Sequence, residues 1–171
     1  MENMNFRKDN KGISLIEIII VLAIMAVIGG IVVLSTSVAT NKHVNSCAEK
    51  IASSLEQTRS LVMGKQSGSI QISQVPGDYV YVQMTIDGQN YGDRVSVGHP
   101  GVTVNFTRKD GSTGTLSAGA ALNIYFSRNG SVTDGPTHTG DIITNFEVTN
   151  GNRTVNVNVD PFTGRVEVVK P

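Results

Sequence analysis

One acidic residue lies at the start of the most apolar stretch of the sequence. Glu17 is followed by residues 18–34, which contain no charged side chain. A carboxylate inside an apolar helix costs free energy unless a cation compensates it, so such a residue marks a functional site by default. The chemistry that Glu17 offers is the pairing of an anion with a partner in surroundings of low dielectric constant.

The other reactive residue types form no catalytic pattern. The sequence contains no His-Glu-X-X-His pair, no phosphate-binding Gly-Lys-Ser loop and no nucleophile elbow. We interpret its histidines as surface or loop residues, and the oxygen-bearing side chains between positions 87 and 93 as turn residues rather than a calcium site. The sequence therefore predicts no enzyme, no metal site and no cofactor. The histidines are His43, His99 and His138, and the oxygen-bearing residues are Asp87, Asn90 and Asp93.

The charge balance and the single cysteine argue against a nucleic-acid-binding protein and against a fold held by disulfides. The 171 residues include 14 basic and 14 acidic side chains, so no net charge attracts a polyanion. Cys47 is the single cysteine and cannot close an internal disulfide. We expect it to pack as a small apolar side chain.

Residues 13–34 predict a transmembrane helix. At about 1.5 Å per residue they would extend about 33 Å, enough for a hydrocarbon layer of about 30 Å. Arg7, Lys8 and Lys11 precede the segment, whereas Lys42 is the first lysine or arginine after it. The positive-inside rule then places the N-terminus in the cytoplasm and exports the rest of the chain.

Three other interpretations of this segment stay open. A secretory signal cleaved at Ser37-Val38-Ala39 would release a soluble protein beginning at Thr40, but its apolar region normally has about 7–15 residues. A buried core helix is disfavoured because polar residues are scarce over the whole stretch. A plain single-pass anchor fits the length but does not explain Glu17.

The chain beyond the apolar run predicts an α+β fold. Apolar side chains at spacings of three and four over residues 44–62 indicate an amphipathic helix, which we expect to bury Ile51, Leu55 and Val62. No proline interrupts residues 13–63, so one helix of about 50 residues ending at Gly64 is allowed. After Gly64 apolar and polar side chains alternate with a period of two. This pattern predicts strands at residues 70–72, 79–86, 102–106, 122–126, 142–148, 155–159 and 166–168.

Four turn signals separate these strands and predict an antiparallel meander with one dry face covered by the amphipathic helix. Each signal supplies the positive φ angles that tight hairpins need. They are Asp87-Gly88, Asp110-Gly111, Asn129-Gly130 and Asn150-Gly151.

The N-terminal residues resemble the class III signal of type IV pilins and type II secretion pseudopilins. The resemblance rests on Lys11-Gly12-Ile13-Ser14-Leu15-Ile16-Glu17 followed by the apolar run. It implies that a membrane-embedded prepilin peptidase cuts after Gly12, that Ile13 becomes the methylated first residue, and that Glu17 becomes the fifth residue and serves assembly. Phenylalanine is usual at the first position, so Ile13 departs from the commonest pattern.

The resemblance implies four parts of the chain: a cleaved leader (1–12), a transmembrane and filament-core helix (13–34), an amphipathic helix (35–63) and an antiparallel β domain (64–171). The implied partners are prepilin peptidase, other pilin or pseudopilin subunits and an inner-membrane assembly platform. The protein would first be a single-pass membrane protein with a cytoplasmic N-terminus and an extracytoplasmic C-terminal domain. It would then enter a surface or periplasmic filament.

Shorter segments resemble the GspH/FimT group of minor pilins and pseudopilins. They are residues 51–59 with the strand at 70–72, the strand and turn at 123–130, and the final hairpin at 155–168. The paired C-terminal cysteines of many major pilins are absent, which favours a minor subunit. The expected function is that of a structural, minor subunit of a type IV pilus-like or secretion filament.

Two alternative functions stay open. Some FimT-like pilins bind DNA through a Gly-Arg-X-Arg motif, but this chain has Gly164-Arg165-Val166-Glu167. From Gly64 onward it carries eight basic and nine acidic residues, so attraction to phosphate is not favoured. The second alternative is a plain membrane-anchored extracytoplasmic β domain, which needs neither Gly12 cleavage nor Glu17.

Overall fold

The computed structural model describes residues 14–63, 67–77, 79–135 and 142–171, and the side chains of residues 30–39 lie outside that description. The chain divides into two compact units, residues 1–38 and 39–171. One helix, α1 (Leu15–Val62), begins in the first unit and ends in the second. Its 48 residues confirm the predicted uninterrupted helix over this range.

The ends of α1 follow from local hydrogen bonding. Ser14 directly precedes the helix, and its carbonyl oxygen accepts hydrogen bonds from the backbone N–H groups of Glu17 at 3.0 Å and Ile18 at 3.3 Å. At the other end the Met63 N–H donates to the carbonyl oxygen of Arg59 at 3.0 Å. Gly64, the predicted stop, lies outside the described residues.

Within the described part of the chain, no helix combines the length and the apolar character needed to cross a membrane. The predicted boundaries of the leader, the transmembrane segment, the amphipathic segment and the β domain stay predictions.

Ten strands in the described residues form two five-stranded antiparallel sheets. Sheet A has the order β3-β2-β1-β6-β7, and sheet B has the order β10-β9-β8-β4-β5. The strands are β1 (Gly68–Val75), β2 (Tyr79–Ile86), β3 (Gln89–Ser96), β4 (Thr103–Arg108), β5 (Thr113–Thr115), β6 (Ala121–Phe126), β7 (Val132–Thr133), β8 (Ile143–Thr149), β9 (Thr154–Val159) and β10 (Val166–Val169).

The predicted meander is wrong, although each of the seven predicted strands corresponds to an observed one. In a meander every strand pairs with its neighbours in sequence. Here β1 lies between β2 and β6, and β4 pairs with β8, so long connections place successive strands in different sheets. The predicted α+β class is confirmed, because α1 packs on the two antiparallel sheets.

The predicted buried face of α1 is confirmed in the second unit. Ile51, Leu55 and Val62 have no solvent-exposed surface and belong to one core with alternate residues of the strands. The packing between helix and sheet A is close enough that a Cβ atom at Gly68 would overlap the Val62 side chain. Burial of this face therefore joins the helix to both sheets in a single apolar core.

The turn chemistry is confirmed most clearly at the hairpin joining β2 and β3. Asp87 and Gly88 have φ angles of 51° and 80°, so both central residues are left-handed, as a type I′ turn requires. The Asp87 carboxylate also accepts a hydrogen bond from the Ser67 N–H at 3.2 Å. This side chain therefore links the β2–β3 turn to the residue directly before β1.

Cys47 is buried in the core, as predicted, and burial raises the pKa of its thiol to about 12. The folded thiol thus stays protonated at pH values where the unfolded thiol, with a pKa near 8.5, ionises. The unfolded state then binds fewer protons than the folded state, so stability falls as the pH rises above about 8.5.

We predict that the free energy of unfolding of the wild type, relative to that of Cys47→Ala, drops by about 1–2 kcal/mol between pH 7 and pH 10. Urea titrations of both proteins at the two pH values measure this difference. An equal pH dependence in the two proteins would contradict the assignment of a buried, protonated thiol.

Candidate assembly site

Glu17 lies in the first turn of α1 and is exposed. The first N–H groups of a helix carry partial positive charge, so a carboxylate is electrostatically favoured at this end. Part of the predicted cost of an acidic residue in an apolar segment is therefore offset by its position in the helix. The same position leaves the carboxylate facing outward, where another molecule can reach it.

The sequence around Glu17 supplies few cations from the chain itself. No lysine or arginine occurs from residue 18 to residue 41. Among the residues that the structure describes, the Glu17 carboxylate forms no ion pair, whereas Glu49 pairs with Lys170 at 2.5 Å. A cation for Glu17 must come from the N-terminal residues or from another molecule.

The predicted cleavage and methylation residues, Gly12 and Ile13, lie outside the described residues. Their assignment, and that of Glu17 to assembly, stays a prediction. Glu17 lies four positions after Ile13 in the sequence.

The helix that follows Glu17 presents apolar side chains on all sides. From Leu15 to Ile28, the large apolar residues are exposed, from 45% at Val21 to 76% at Leu15. A contiguous apolar surface of this kind marks an interaction site, because water is a poor solvent for it. A helix that is apolar all round requires apolar surroundings.

The region of the proposed DNA motif has mixed charge. Arg165 precedes β10, and it lines a shallow surface depression together with Asp160, Glu167, Asn158 and Val166. The backbone N–H groups of Phe162 and Thr163 donate hydrogen bonds to the Asp160 carboxylate, which lowers the pKa of that carboxyl. Two carboxylates thus share this depression with the single arginine of the motif.

Sequence reasoning missed the role of Arg59. Its Nε donates a hydrogen bond to the carbonyl oxygen of Thr163 at 2.7 Å, across 104 residues of sequence. The side chain also lies against Gly130 and Gly164, where an added Cβ atom would crowd it. Arg59 thereby holds the β6–β7 and β9–β10 turns against the end of α1. No local pattern could reveal a contact between segments so far apart.

The comparisons with known proteins concern the N-terminal segment. Residues 7–33 match the prokaryotic N-terminal methylation motif. No curated protein and no solved structure matched the chain. The motif supports a type IV pilin-like family and indicates a pilin- or pseudopilin-like structural subunit rather than an enzyme. A prepilin-type signal of this kind implies processing by prepilin peptidase and assembly with pilin subunits.

Proposed function

We propose that this protein is a minor subunit of a type IV pilus-like or type II secretion filament. One observation carries the proposal: the methylation motif at residues 7–33 includes the exposed apolar start of α1, with Glu17 in the first turn of that helix. A filament provides what both features need, which is an apolar environment for the helix and a cation for the carboxylate. The β sheets then lie outside the filament core.

The proposed assembly mechanism begins with cleavage after Gly12. Cleavage removes Arg7, Lys8 and Lys11 but keeps the apolar helix attached to the exported domain. The new amine of Ile13, which we propose is methylated, is a cation at the end of an apolar helix. In a staggered bundle it meets Glu17 of a neighbouring subunit, and this pairing avoids the several kcal/mol that an unpaired charge costs in an apolar interior.

In the proposed life cycle, residues 13–34 first hold the protein in the membrane with a cytoplasmic N-terminus. The apolar helices of successive subunits then bury one another as the inner-membrane assembly platform moves them from the bilayer into the filament. This transfer is compatible with an apolar helix because lipid and helix bundle offer similar surroundings. Glu17 distinguishes the filament from the bilayer, because the amine of a neighbouring subunit pairs with it only in the filament.

The subgroup proposal, a GspH/FimT-type subunit, is supported by three segments in the second unit. In sequence order β1 is the next element after α1, the turn at Asn129-Gly130 follows β6, and β9 and β10 form the last hairpin. Arg59 contacts the β6–β7 turn and the β9–β10 turn, so the three resembling segments lie together around the end of α1. The single, buried Cys47 agrees with a minor rather than a disulfide-bearing major subunit.

The DNA-binding alternative gains no support from the surface around Arg165. Asp160 and Glu167 line the same depression, and phosphate would be repelled by both. A plain anchor, the other alternative, would gain nothing from Glu17. The filament proposal accounts for both the motif and the acidic residue.

We predict that the mature chain begins at a methylated Ile13 in cells with an active prepilin peptidase. Intact-mass measurement of the membrane-bound protein tests this, with Gly12→Val as the matched variant. A side chain at position 12 is expected to crowd the peptidase site and leave the leader attached. Retention of residues 1–12 in the wild-type protein, or an N-terminus at Thr40, would refute the proposed processing.

A further inference from the structure

Two histidines that are distant in sequence lie side by side in the second unit. His43 is on α1, and His99 is in the connection between β3 and β4. Their ring centroids are 4.4 Å apart, and their planes are tilted by 42°. Both side chains are half-buried, so solvent and small ions can reach them.

Both histidines project from anchored backbone. His43 is followed by Val44, which is fully buried in the core. Just before His99, the N–H groups of Val97 and Gly98 both donate to the carbonyl oxygen of Val80, at 2.8 and 3.1 Å. The rings can therefore reorient about their side-chain bonds while the distance between their backbones stays fixed.

The imidazole nitrogens are available for binding. Within the described ranges, no protein group forms a hydrogen bond with a ring nitrogen of either histidine. A neutral imidazole always carries one nitrogen with a free lone pair, which suits copper, nickel and zinc. The described residues contain no group of three or more metal-ligating side chains, so water would complete the coordination of any ion bound here.

The two rings are close enough for one ion to bind a nitrogen of each. With a metal–nitrogen bond of about 2.1 Å, and about 1.1 Å from nitrogen to ring centre, two imidazoles on one ion have centroids about 4.5 to 5.2 Å apart. The observed separation of 4.4 Å needs only a small rotation of the side chains to reach this range. Among divalent ions, the affinity of a nitrogen site rises along the first transition series to copper(II) and falls again at zinc.

We propose that His43 and His99 form a solvent-open site for copper(II), with the two imidazoles and water as its ligands. The bound ion joins α1 to the β3–β4 connection. The site lies in the second unit and is independent of Gly12, Ile13 and Glu17.

The test uses the full chain in mild detergent, titrated with copper(II), nickel(II) and zinc(II) chlorides by isothermal calorimetry. We expect one copper ion per chain, bound at least tenfold more tightly than zinc or nickel. His43→Gln and His99→Gln should each weaken binding at least tenfold. His138→Gln, the control that removes the third histidine, should leave binding unchanged. Equal binding by the wild type and the first two variants would overturn the proposal.

A second measurement does not depend on whether the variants fold. Copper(II) broadens amide resonances of nearby residues in the NMR spectrum of the wild-type chain. Broadening centred on Val44 and on Val97–Val102 supports the site. Broadening that spares these residues overturns it. In the electron paramagnetic resonance spectrum, splitting by two nitrogens supports the pair, whereas splitting by one nitrogen counts against it.

Discussion

Replacing Glu17 with alanine is expected to deplete the protein from filaments while leaving cleavage after Gly12 and membrane insertion intact. The carboxylate is exposed in the first turn of α1. The following 24 residues contain no lysine or arginine that could pair with it. In the proposed filament the amine of a neighbouring Ile13 takes that role. Removing the carboxylate leaves this amine unpaired in apolar surroundings. Each 1.4 kcal/mol lost in docking lowers occupancy about tenfold, so a loss of several kcal/mol should lower occupancy at least about tenfold.

The measurement is the ratio of filament-borne to membrane-borne mature protein, with partner subunits at wild-type levels. Glu17→Gln keeps the shape of the side chain without its charge, and it should behave like Glu17→Ala. The matched control is Glu56→Ala, which removes another exposed glutamate from the same helix and should leave the ratio unchanged. An unchanged ratio in Glu17→Ala would contradict the assembly role.

The strands that sequence reasoning found and those that it missed differ in burial. β9 was predictable because Val155, Val157 and Val159 are buried and the residues between them are not. β3 was missed because all eight of its residues are exposed, so it carries no alternation of apolar and polar side chains. β5 and β7 have only three and two residues, too few for a periodic signal.

The order of strands could not be predicted, because local patterns do not encode long-range pairing. Ile72 of β1 lies opposite Leu122 of β6, fifty residues away. The alternation of each strand specifies which face is buried but not which strand is its neighbour. The turn pairs, by contrast, join adjacent strands through local backbone geometry, and Asp87-Gly88 was therefore recognisable from its sequence alone.

The residues of the candidate assembly site, unlike the strand order, could be predicted from the sequence. Gly12, Ile13 and Glu17 were recognisable because they lie in a short contiguous pattern, within the residues 7–33 that match the N-terminal methylation motif. His43 and His99 were interpreted as scattered surface residues, and only the fold brings their rings to 4.4 Å. Sequence therefore reveals sites built from neighbouring residues, whereas sites built between elements need the tertiary structure.

Leu55→Ala is expected to lower the free energy of unfolding of the second unit by about 2–5 kcal/mol. Leu55 has no exposed surface and lies on the face of α1 that joins the core of both sheets. Truncation removes apolar contacts and leaves a cavity that the surrounding strands fill only in part. Urea unfolding of residues 39–171, which form one compact unit, measures the effect.

The matched control for this truncation is Gln57→Ala, two residues further along the same helix. Gln57 is exposed, so its truncation should change the free energy of unfolding by less than about 0.5 kcal/mol. Both substitutions introduce alanine, a strong helix former, so helix propensity does not separate them by more than a few tenths of a kcal/mol. A difference between the two variants therefore reports packing against the sheets. If Leu55→Ala left the urea midpoint where Gln57→Ala leaves it, the packing of α1 through this face would be wrong.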